Sequence, residues 1–493
     1  MSLPKFNFWI LGILFFVVLL RLPSLFEPHW YGDEEIYLVL GQMMRRGAVL
    51  YRDIWDNKTP ILYFIYALSP TLIWAKLSAT VFVLGTVFGV YKLSGRLLSA
   101  ALIGILLSLP ILEGNIANAE LYFTLPIIFG AILVYQKRSP FLIGLLAATA
   151  FLIKVPAVVD FVGLLLAFFV IKLVDEYWSP VRDWERLLTD QIKFYLPILV
   201  GFFLPILLIF GYFFVNHALQ NFLIAAFSQN ASYVAVGSGA LSKLSNPLFI
   251  KSIFLLAGSV LVAMAYFKRL VAKELVLLSL WFGFSLFGAL LSNRPYTHYL
   301  LQIVPPTILL GVYIISHWRR YWSAGLILLA IFAWLGKMFQ GAFALEPVSY
   351  YRNFFDYASE RKSWEEYVNY FDARTVGVYQ VANLIKEDTK PNEPIFVWGD
   401  MASIYVVADR PAATKFIQAH HLTTIDSKNY DLIIQRLLKY QPKYIVVTRP
   451  VQFPFQVLET LLMRNYKQVE VVGQMYVYKN TVSVSLPMWT PSY

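Results

Sequence analysis

The stretch that decides the fold is FWILGILFFVVLL at residues 8–20, followed shortly by Gly32-Asp33-Glu34-Glu35. The first segment is an uninterrupted apolar run. No small-residue cleavage site follows it, so we interpret it as a retained transmembrane span rather than a signal peptide. The second segment places three acidic residues just beyond that span. Acidic residues beside a bilayer cost solvation free energy unless another group pairs with them or uses them. We therefore expect a functional loop at a membrane surface.

The composition indicates an integral membrane protein. Of the 493 residues, 58% are hydrophobic and only 14% are charged, whereas soluble proteins carry about a quarter charged residues. The net charge is +11. The basic residues lie in short loops between apolar runs, so we interpret them as topology signals and contacts with membrane lipids, and we expect no nucleic-acid partner. The chain has no cysteine, which excludes disulfides and thiolate chemistry.

About eleven apolar runs are long enough, at roughly 17–25 residues, to cross a membrane. If the N-terminus is cytoplasmic, every short inner loop carries Lys or Arg, which supports this orientation. The segment Asp175 to Lys193 mixes both charge signs with Trp178 and Trp184, and predicts an amphipathic helix on the inner surface. The predicted spans begin near Phe8, Thr71, Leu97, Leu121, Phe141, Val155, Phe194, Leu248, Leu275, Tyr299 and Trp322.

The composition changes after about Leu345, because the rest of the chain carries many charges and no spanning run. Strands are predicted at 395–398, 444–447 and 469–472, and helices at 356–388, 432–440 and 455–466. Strands that alternate with helices predict a small α/β domain, and an odd number of spans places it outside the cytoplasm. We therefore predict a transmembrane domain at 1–345, with a first outer loop at 22–70, and an extracytoplasmic domain at 346–493.

The predicted topology gathers unusual polar residues from separate loops on the outer side. Among them, Asp33 has two compatible interpretations. It can cap a helix that ends at Gly47, where acidic groups favour the positive helix end, or it can act as a general base. The outer polar set is Asp33, Glu34, Glu35, Asp56, Lys58, Glu113, Glu120, Arg294 and His298, with Lys154 at an outer turn.

Three of these residues have both a structural and a functional interpretation. Lys58, in YRDIWDNKTP at 51–60, is either an interfacial lysine or a cation for a phosphate. Glu120 either caps the helix that follows it or supplies a second carboxylate to an outer cavity. Lys154 lies between apolar neighbours, and either extends to the interface or contacts a lipid phosphate.

The segment Arg294-Pro295-Tyr296-Thr297-His298-Tyr299 forms a second dense outer loop. Arg294 offers a bidentate fork for phosphate, and His298 can donate to phosphate, bind a metal or move a proton. The alternative is an aromatic belt at the membrane interface. We interpret His420-His421 as surface residues rather than a metal pair, because no further ligands accompany them.

Together, these motifs resemble multi-spanning glycosyltransferases of the GT-C superfamily. The most similar branch is bacterial and related to protein O-mannosyltransferases and lipid A aminoarabinose transferases. The resemblance rests on Gly32-Asp33-Glu34, Tyr51-Arg52-Asp53, Asp56-Asn57-Lys58-Thr59-Pro60, Asn118-Ala119-Glu120 and the segment 294–299, with Phe396-Val397-Trp398-Gly399 and Asp409-Arg410-Pro411 towards the C-terminus.

The resemblance implies an α-helical polytopic membrane protein of the GT-C type, about eleven transmembrane helices, and an extracytoplasmic α/β domain. It implies an inverting enzyme that passes a sugar from a polyprenyl-phosphate carrier to a lipid, glycan or protein acceptor at the outer membrane face. It leaves a divalent metal cofactor as an open alternative. By resemblance the catalytic residues are Asp33 and Glu34, and the substrate-binding residues are Lys58, Glu120, Lys154, Arg294, His298 and Tyr299.

Two other functions use a similar outer face. A transporter or flippase for a lipid-linked sugar would also need cations and carboxylates there, but it predicts midplane charges or broken, repeated halves, which the sequence does not clearly show. A glycan polymerase or ligase would use the same kind of donor. Direct nucleotide hydrolysis is disfavoured, because the sequence has no Walker-type loop.

Overall fold

The computed structural model describes residues 7–230, 247–292, 294–341, 345–419, 429–451, 453–481 and 488–491, so the pair His420-His421 lies outside the described residues. The chain forms two compact units. The first unit comprises Met1–Leu22, Lys76–Phe210 and Ser232–Val348, and the second comprises Pro23–Ala75, Gly211–Ala231 and Ser349–Tyr493. The segment predicted as the first outer loop therefore belongs to the same unit as the C-terminal residues. The domain division at residue 345 stays a prediction.

Apolar helices dominate the chain up to Met338. Within the described residues, eight helical segments are long and apolar enough to cross a membrane. The helices are α1 (Trp9–Arg21), α2 (Gly32–Arg45), α3 (Pro60–Ala67), α4 (Leu72–Ser94), α5 (Leu97–Leu106), α6 (Ala119–Gln136), α7 (Pro140–Ile153), α8 (Val158–Tyr177), α9 (Trp184–Val215), α10 (Leu219–Leu223), α11 (Pro247–Phe267), α12 (Lys273–Ala289), α13 (Val304–Ser316, preceded by the 3₁₀ helix Thr297–Ile303) and α14 (Trp318–Met338).

Each predicted apolar run corresponds to a helix, and the predicted polytopic α-helical class is confirmed. The predicted count of eleven spans is not confirmed, because three of these helices are short. Helix α5 has 10 residues, α7 has 14 and α12 has 17. At about 1.5 Å per residue, a 10-residue helix covers about half of a hydrocarbon core of about 30 Å.

The predicted amphipathic helix over 175–193 is not a separate element. Helix α8 extends to Tyr177, and α9 starts at Trp184 and continues for 32 residues to Val215. The charged segment 184–193 therefore forms the first turns of a long apolar helix. No Gly or Pro interrupts the chain between Trp184 and Leu196, and a helix that has nucleated gains one hydrogen bond for each residue it adds.

Close helix packing holds the first unit together. Helix α12 packs against α8, α11 and α13, and α6 packs against α7. Glycines let α7 and α9 approach each other with almost no space between the backbones. A Cβ atom on Gly144 would lie 2.0 Å from the carbonyl oxygen of Ile198, and one on Gly201 would lie 2.1 Å from that of Phe141. Small residues at helix contacts are typical of membrane proteins, where packing rather than hydrophobic burial drives association.

The second unit contains α2, α3 and α10 together with the C-terminal elements. Helix α2 packs against α3 and also against α18. The C-terminal helices are α15 (Pro347–Ala358), α16 (Trp364–Asn369), α17 (Thr375–Glu387), α18 (Ser403–Ala408), α19 (Asn429–Tyr440) and α20 (Gln456–Asn465), and the strands are β1 (Phe396–Trp398), β2 (Tyr444–Thr448), β3 (Tyr466–Val472) and β4 (Met475–Asn480).

These strands form one sheet in the order β1-β2-β4-β3. Strands β1 and β2 are parallel, whereas β4 pairs antiparallel with both β2 and β3. The apolar run of β2 is buried along nearly its whole length, as expected for a central strand. The predicted strands are found, and β4 is an addition: Gly473 at φ +56° makes the turn that returns the chain from β3.

Candidate functional site

The acidic residues near the N-terminus lie at the start of α2. This helix begins at Gly32 and its N-cap is Tyr31, so Asp33, Glu34 and Glu35 all lie in the first turn. The positive end of the helix dipole favours negative charge there. The expectation that Asp33 is itself the N-cap is wrong, because the helix starts before it.

The three carboxylates of this turn differ in exposure. The side chain of Asp33 is 31% exposed, whereas Glu34 is 1% exposed. Glu35 is also buried and lies 3.0 Å from Nδ1 of His29. Asp33 is therefore the carboxylate of this turn that a substrate can reach, and the burial of Glu34 favours a role in support of the helix end.

The loop between α2 and α3 fixes the backbone of Lys58. The Tyr51 hydroxyl donates to the Lys58 carbonyl at 2.6 Å. The Lys58 N–H donates to the Tyr63 hydroxyl at 3.1 Å, and that hydroxyl donates to Oδ2 of Asp56 at 2.6 Å. Burial raises the pKa of Tyr63 well above its ordinary value, and the charge of Asp56 raises it further. The phenol therefore keeps its proton and remains a donor to Asp56.

Lys58 joins two carboxylates. Its Nζ lies 3.6 Å from Oδ2 of Asp33 and 3.9 Å from Oδ2 of Asp56. It also lies 5.1 Å from the centre of the Tyr37 ring, whose hydroxyl donates to Oδ2 of Asp33 at 3.0 Å. The fold thus brings together two residues that the sequence selected, Asp33 and Lys58. Asp56 is the third member. The sequence placed it in the outer polar set and in the motif Asp56-Asn57-Lys58-Thr59-Pro60, without a role of its own.

In the first unit, Glu113 holds the segment that carries His298. Glu113 accepts a hydrogen bond from the Thr297 hydroxyl at 2.6 Å and lies 2.8 Å from Nδ1 of His298. It adopts φ +57°, a conformation that costs energy for a residue other than glycine and that concentrates at functional sites. The sequence placed Glu113 among the outer polar residues without a role, and the structure gives it one as the partner of His298.

Glu120 and Lys154 form an ion pair in the same unit. Lys154 Nζ also lies 4.3 Å from the centre of the Tyr299 ring, and that ring makes an edge contact with His298, with centres 4.6 Å apart. Glu120 is in the first turn of α6, whose N-cap is Asn118. Four predicted site residues therefore form one connected chain of contacts.

Arg294 is exposed, and its guanidinium lies 3.5 Å from the Tyr296 hydroxyl. The Tyr296 ring stacks on His298 at 5.6 Å between centres, so Tyr296 links Arg294 to the His298 contacts. The site residues fall in two sets. Asp33, Glu34 and Lys58 belong to the second unit, whereas Glu120, Lys154, Arg294, His298 and Tyr299 belong to the first.

A buried acid that the sequence reasoning missed lies in the first unit. Asp160 is fully buried and accepts hydrogen bonds from Nε1 of Trp281 at 2.8 Å and from Nε2 of Gln302 at 2.6 Å. Gln302 belongs to the same 3₁₀ helix as His298. These hydrogen bonds therefore hold in place the helix that carries the His298 imidazole. The available signal was a single carboxylate within the apolar run of α8.

An apolar cleft of about 290 Å³ lies beside the same 3₁₀ helix. Its lining includes Leu106, Leu112, Leu300, Ile303, Leu335 and Phe339. Leu300 and Ile303 belong to the same 3₁₀ helix as His298, so the polar contacts and the apolar cleft share one short helix. Among the described residues, no group of three or more His, Asp or Glu side chains could hold a metal ion.

Comparison with solved structures gives a match over nearly the whole chain. The crystal structure of ArnT from Cupriavidus metallidurans bound to undecaprenyl phosphate superimposes with a TM-score of 0.58 and 16% sequence identity, covering 97% of this chain and 99% of that chain. Residues 378–481 match the family described as the putative competence-induced protein Ccs4 C-terminal domain. No curated protein matches the chain. At this level of identity the likeness shows the fold, and the predicted GT-C type fold is confirmed.

Proposed function

We propose that the protein is an inverting glycosyltransferase that moves a sugar from a polyprenyl-phosphate donor to a lipid, glycan or protein acceptor at the outer face of the membrane. The observation that carries the proposal is the likeness to ArnT, whose crystal structure contains undecaprenyl phosphate. The accessible carboxylate of Asp33, 3.6 Å from the ammonium group of Lys58, supports it.

In the proposed step, a hydroxyl oxygen of the acceptor attacks the anomeric carbon of the donor sugar. The bond from that carbon to the phosphate oxygen breaks, and its electron pair leaves with the polyprenyl phosphate. Asp33 accepts the proton from the acceptor. Displacement from the face opposite the phosphate inverts the anomeric configuration.

Cations that stabilise the departing phosphate contribute most when they are held in place before the reaction. Lys58 is such a cation, because its backbone is fixed by the Tyr51 and Tyr63 hydroxyls. We assign Lys154, Arg294 and His298 to substrate binding as well. Glu113 holds Nδ1 of His298, so a contact between this imidazole and the substrate would be made by Nε2.

The apolar cleft beside the 3₁₀ helix Thr297–Ile303 suits the hydrocarbon part of such a donor. A polyprenyl chain would gain free energy from apolar contacts, whereas its phosphate needs cations. His298, which we assign to substrate binding, and the apolar lining residues Leu300 and Ile303 lie on this one element.

The test is a turnover assay on the purified protein in lipid nanodiscs. The donors are synthetic polyprenyl-phosphate sugars, and the acceptors are fractionated envelope lipids, glycans and proteins. We expect acceptor-dependent release of polyprenyl phosphate, and a product whose anomeric configuration, measured by NMR, is opposite to that of the donor. Retention of configuration would contradict the single displacement, and absence of release with every donor would contradict the proposal.

A further inference from the structure

The segment that leads into α2 carries a buried carboxylate that the proposed reaction does not use. Glu27 is 6% exposed. Its Oε1 accepts a hydrogen bond from the Tyr350 hydroxyl at 2.6 Å, and its Oε2 accepts one from Nε1 of Trp30 at 3.2 Å. Tyr350 is also buried and lies on α15. One carboxylate therefore joins the segment before α2 to a helix from the C-terminal part of the chain.

Further contacts tie the same segment to the C-terminal residues. The Tyr367 hydroxyl, on α16, donates to the carbonyl of Phe26 at 3.3 Å. The Phe26 ring packs on Phe354 with ring centres 5.4 Å apart, and the Trp30 ring packs on Phe371 with centres 5.5 Å apart. All of these residues belong to the second unit. The segment is therefore held at both of its ends by residues that follow the transmembrane helices in the chain.

His29 connects this segment to the helical turn that carries Asp33. The His29 N–H donates to the hydroxyl of Tyr379, on α17, at 3.2 Å. The Nδ1 atom of the His29 ring lies 3.0 Å from each carboxylate oxygen of Glu35. Glu35 and Asp33 both lie in the first turn of α2. A displacement of the segment would therefore also displace the turn that carries Asp33.

We propose that Glu27 and Tyr350 are positioning residues for Asp33, and that helices α15, α16 and α17 serve glycosyl transfer by fixing the turn that carries the proton acceptor. This role rests on the proposed function of Asp33. A hydrogen bond to a carboxylate is stronger than one between neutral groups and is directional, so it fixes Glu27 more tightly than apolar contacts alone. Rates respond to such placement, because a shift of about 1 Å in a reacting group can cost about 100-fold.

The first measurement is backbone amide hydrogen exchange of the full-length protein in detergent, which needs neither donor nor acceptor. Tyr350→Phe keeps the ring and removes the hydroxyl that donates to Glu27, so amides in residues 26–35 should exchange roughly tenfold faster than in the parent. Tyr357→Phe is the matched control, because it removes a hydroxyl from the same helix and keeps the ring that stacks on Tyr367. Its exchange should equal that of the parent. Unchanged exchange in Tyr350→Phe, or equal acceleration in both variants, would overturn the proposal.

The second measurement is the transfer rate in nanodiscs. Tyr350→Phe and Glu27→Gln should each lower kcat by about ten- to hundredfold, with little change in the KM for donor, because the donor phosphate is assigned to other residues. In an Asp33→Asn background, Tyr350→Phe should cause no further loss, because both changes act through one carboxylate. Thermal unfolding checks that each variant is folded.

A general structural role for Tyr350 predicts instead that the losses from Tyr350→Phe and Asp33→Asn multiply, and that result would overturn the proposal. The two measurements also separate the two proposals. A parent protein without turnover on any donor would contradict the proposed function and, with it, the role of these helices in transfer, whereas unchanged exchange in an active Tyr350→Phe protein would contradict the positioning role alone.

Discussion

Asp33 and Glu34 are neighbours in one helical turn, yet their surroundings separate their roles. Asp33 is partly exposed and contacts Lys58 and the Tyr37 hydroxyl, whereas Glu34 is buried. The sequence could select the acidic turn and Lys58, because both occur in recognisable motifs. It could not rank the two carboxylates or assign Glu113 to His298, because exposure and long-range contacts arise only on folding.

Asp33→Asn should fold and bind donor, because the amide preserves size and can still accept a hydrogen bond from Tyr37. It cannot take up the acceptor's proton, so transfer should fall by roughly 10²- to 10⁴-fold. Glu34→Gln alters a buried carboxylate of the same turn, and should lower the unfolding temperature more than Asp33→Asn does. Steady-state rates and thermal unfolding check both. An Asp33→Asn protein with the parent rate would exclude Asp33 as the base.

Lys58→Ala should weaken use of the lipid donor by about ten- to hundredfold, because a charge-assisted contact to phosphate is lost. Arg294 is exposed, and the contribution of an exposed charge is screened by solvent. We therefore expect Arg294→Ala to have the smaller effect. Donor titrations of both folded variants decide this. A parent-like Lys58→Ala protein would remove Lys58 from the donor site.

At the scale of elements, helices with strong apolar runs were predicted most reliably. The start of α9 was predicted wrongly because charged residues at 184–193 suggested a separate surface helix, although no helix breaker separates them from the apolar run. Strand β4 was missed because its pairing with β2 and β3 is defined by the sheet and not by the residues Met475–Asn480 alone. Helix contacts such as that at Gly144 could not be predicted from the sequence either, because they depend on which helices pack against each other.

Gly144→Val should disrupt the contact between α7 and α9. A Cβ at Gly144 would meet a backbone carbonyl at 2.0 Å, which a side-chain rotation cannot relieve. Overpacking of this kind costs about 1–3 kcal/mol or more. Gly258→Val is the control, since a Cβ at Gly258 in α11 meets no atom within 4 Å. Thermal unfolding in detergent should show a large loss for the first variant alone, and equal losses would argue against this close contact.

Asp388 should make stability of the second unit depend on pH. Burial opposes its ionisation, but hydrogen bonds from Lys479, Tyr444 and Lys443 outweigh it and hold the pKa of Asp388 below its usual value. The unfolded chain therefore takes up the proton first as pH falls, so the stabilisation is present above about pH 4 and is lost below it.

Asp388→Asn tests this dependence. Because Asp388 is 38% exposed, we discount for solvent screening and expect a loss of ~1 kcal/mol at pH 7. The difference from the parent should shrink as the pH falls below about 4. Asp431→Asn, an exposed carboxylate on α19, is the control. Denaturant unfolding at pH 7 and below about pH 4 measures the difference in stability between variant and parent. A difference that stays the same at low pH would contradict the view that the charge of Asp388 is its cause.

For the whole molecule, the polytopic class and the C-terminal α/β unit follow from composition, because long apolar runs and a charged remainder need no knowledge of contacts. The number of spans was harder to predict, since α5, α7 and α12 are apolar but short. The membership of residues 23–75 in the same unit as the C-terminal residues depends on packing between segments far apart in sequence.

We predict that the C-terminus lies outside the cytoplasm, because basic residues mark the loops that we assign to the inner side. A C-terminal fusion to a reporter that is active only in the cytoplasm should be inactive, and a fusion to one active only outside it should be active. The opposite pair of results would show that the topology is the reverse of the one we predict, with the Asp33 turn on the inner side.

The most direct test of the central claim follows cleavage and movement of one donor in sealed proteoliposomes. The donor carries one label on the sugar and another on the polyprenyl chain, and an acceptor is supplied on one side. We expect the two labels to separate when acceptor is present, with polyprenyl phosphate and glycosylated acceptor formed in equal amounts, and the Asp33→Asn protein to lose this separation. Movement of the intact donor across the bilayer without any separation of the labels would contradict the account and identify a transporter instead.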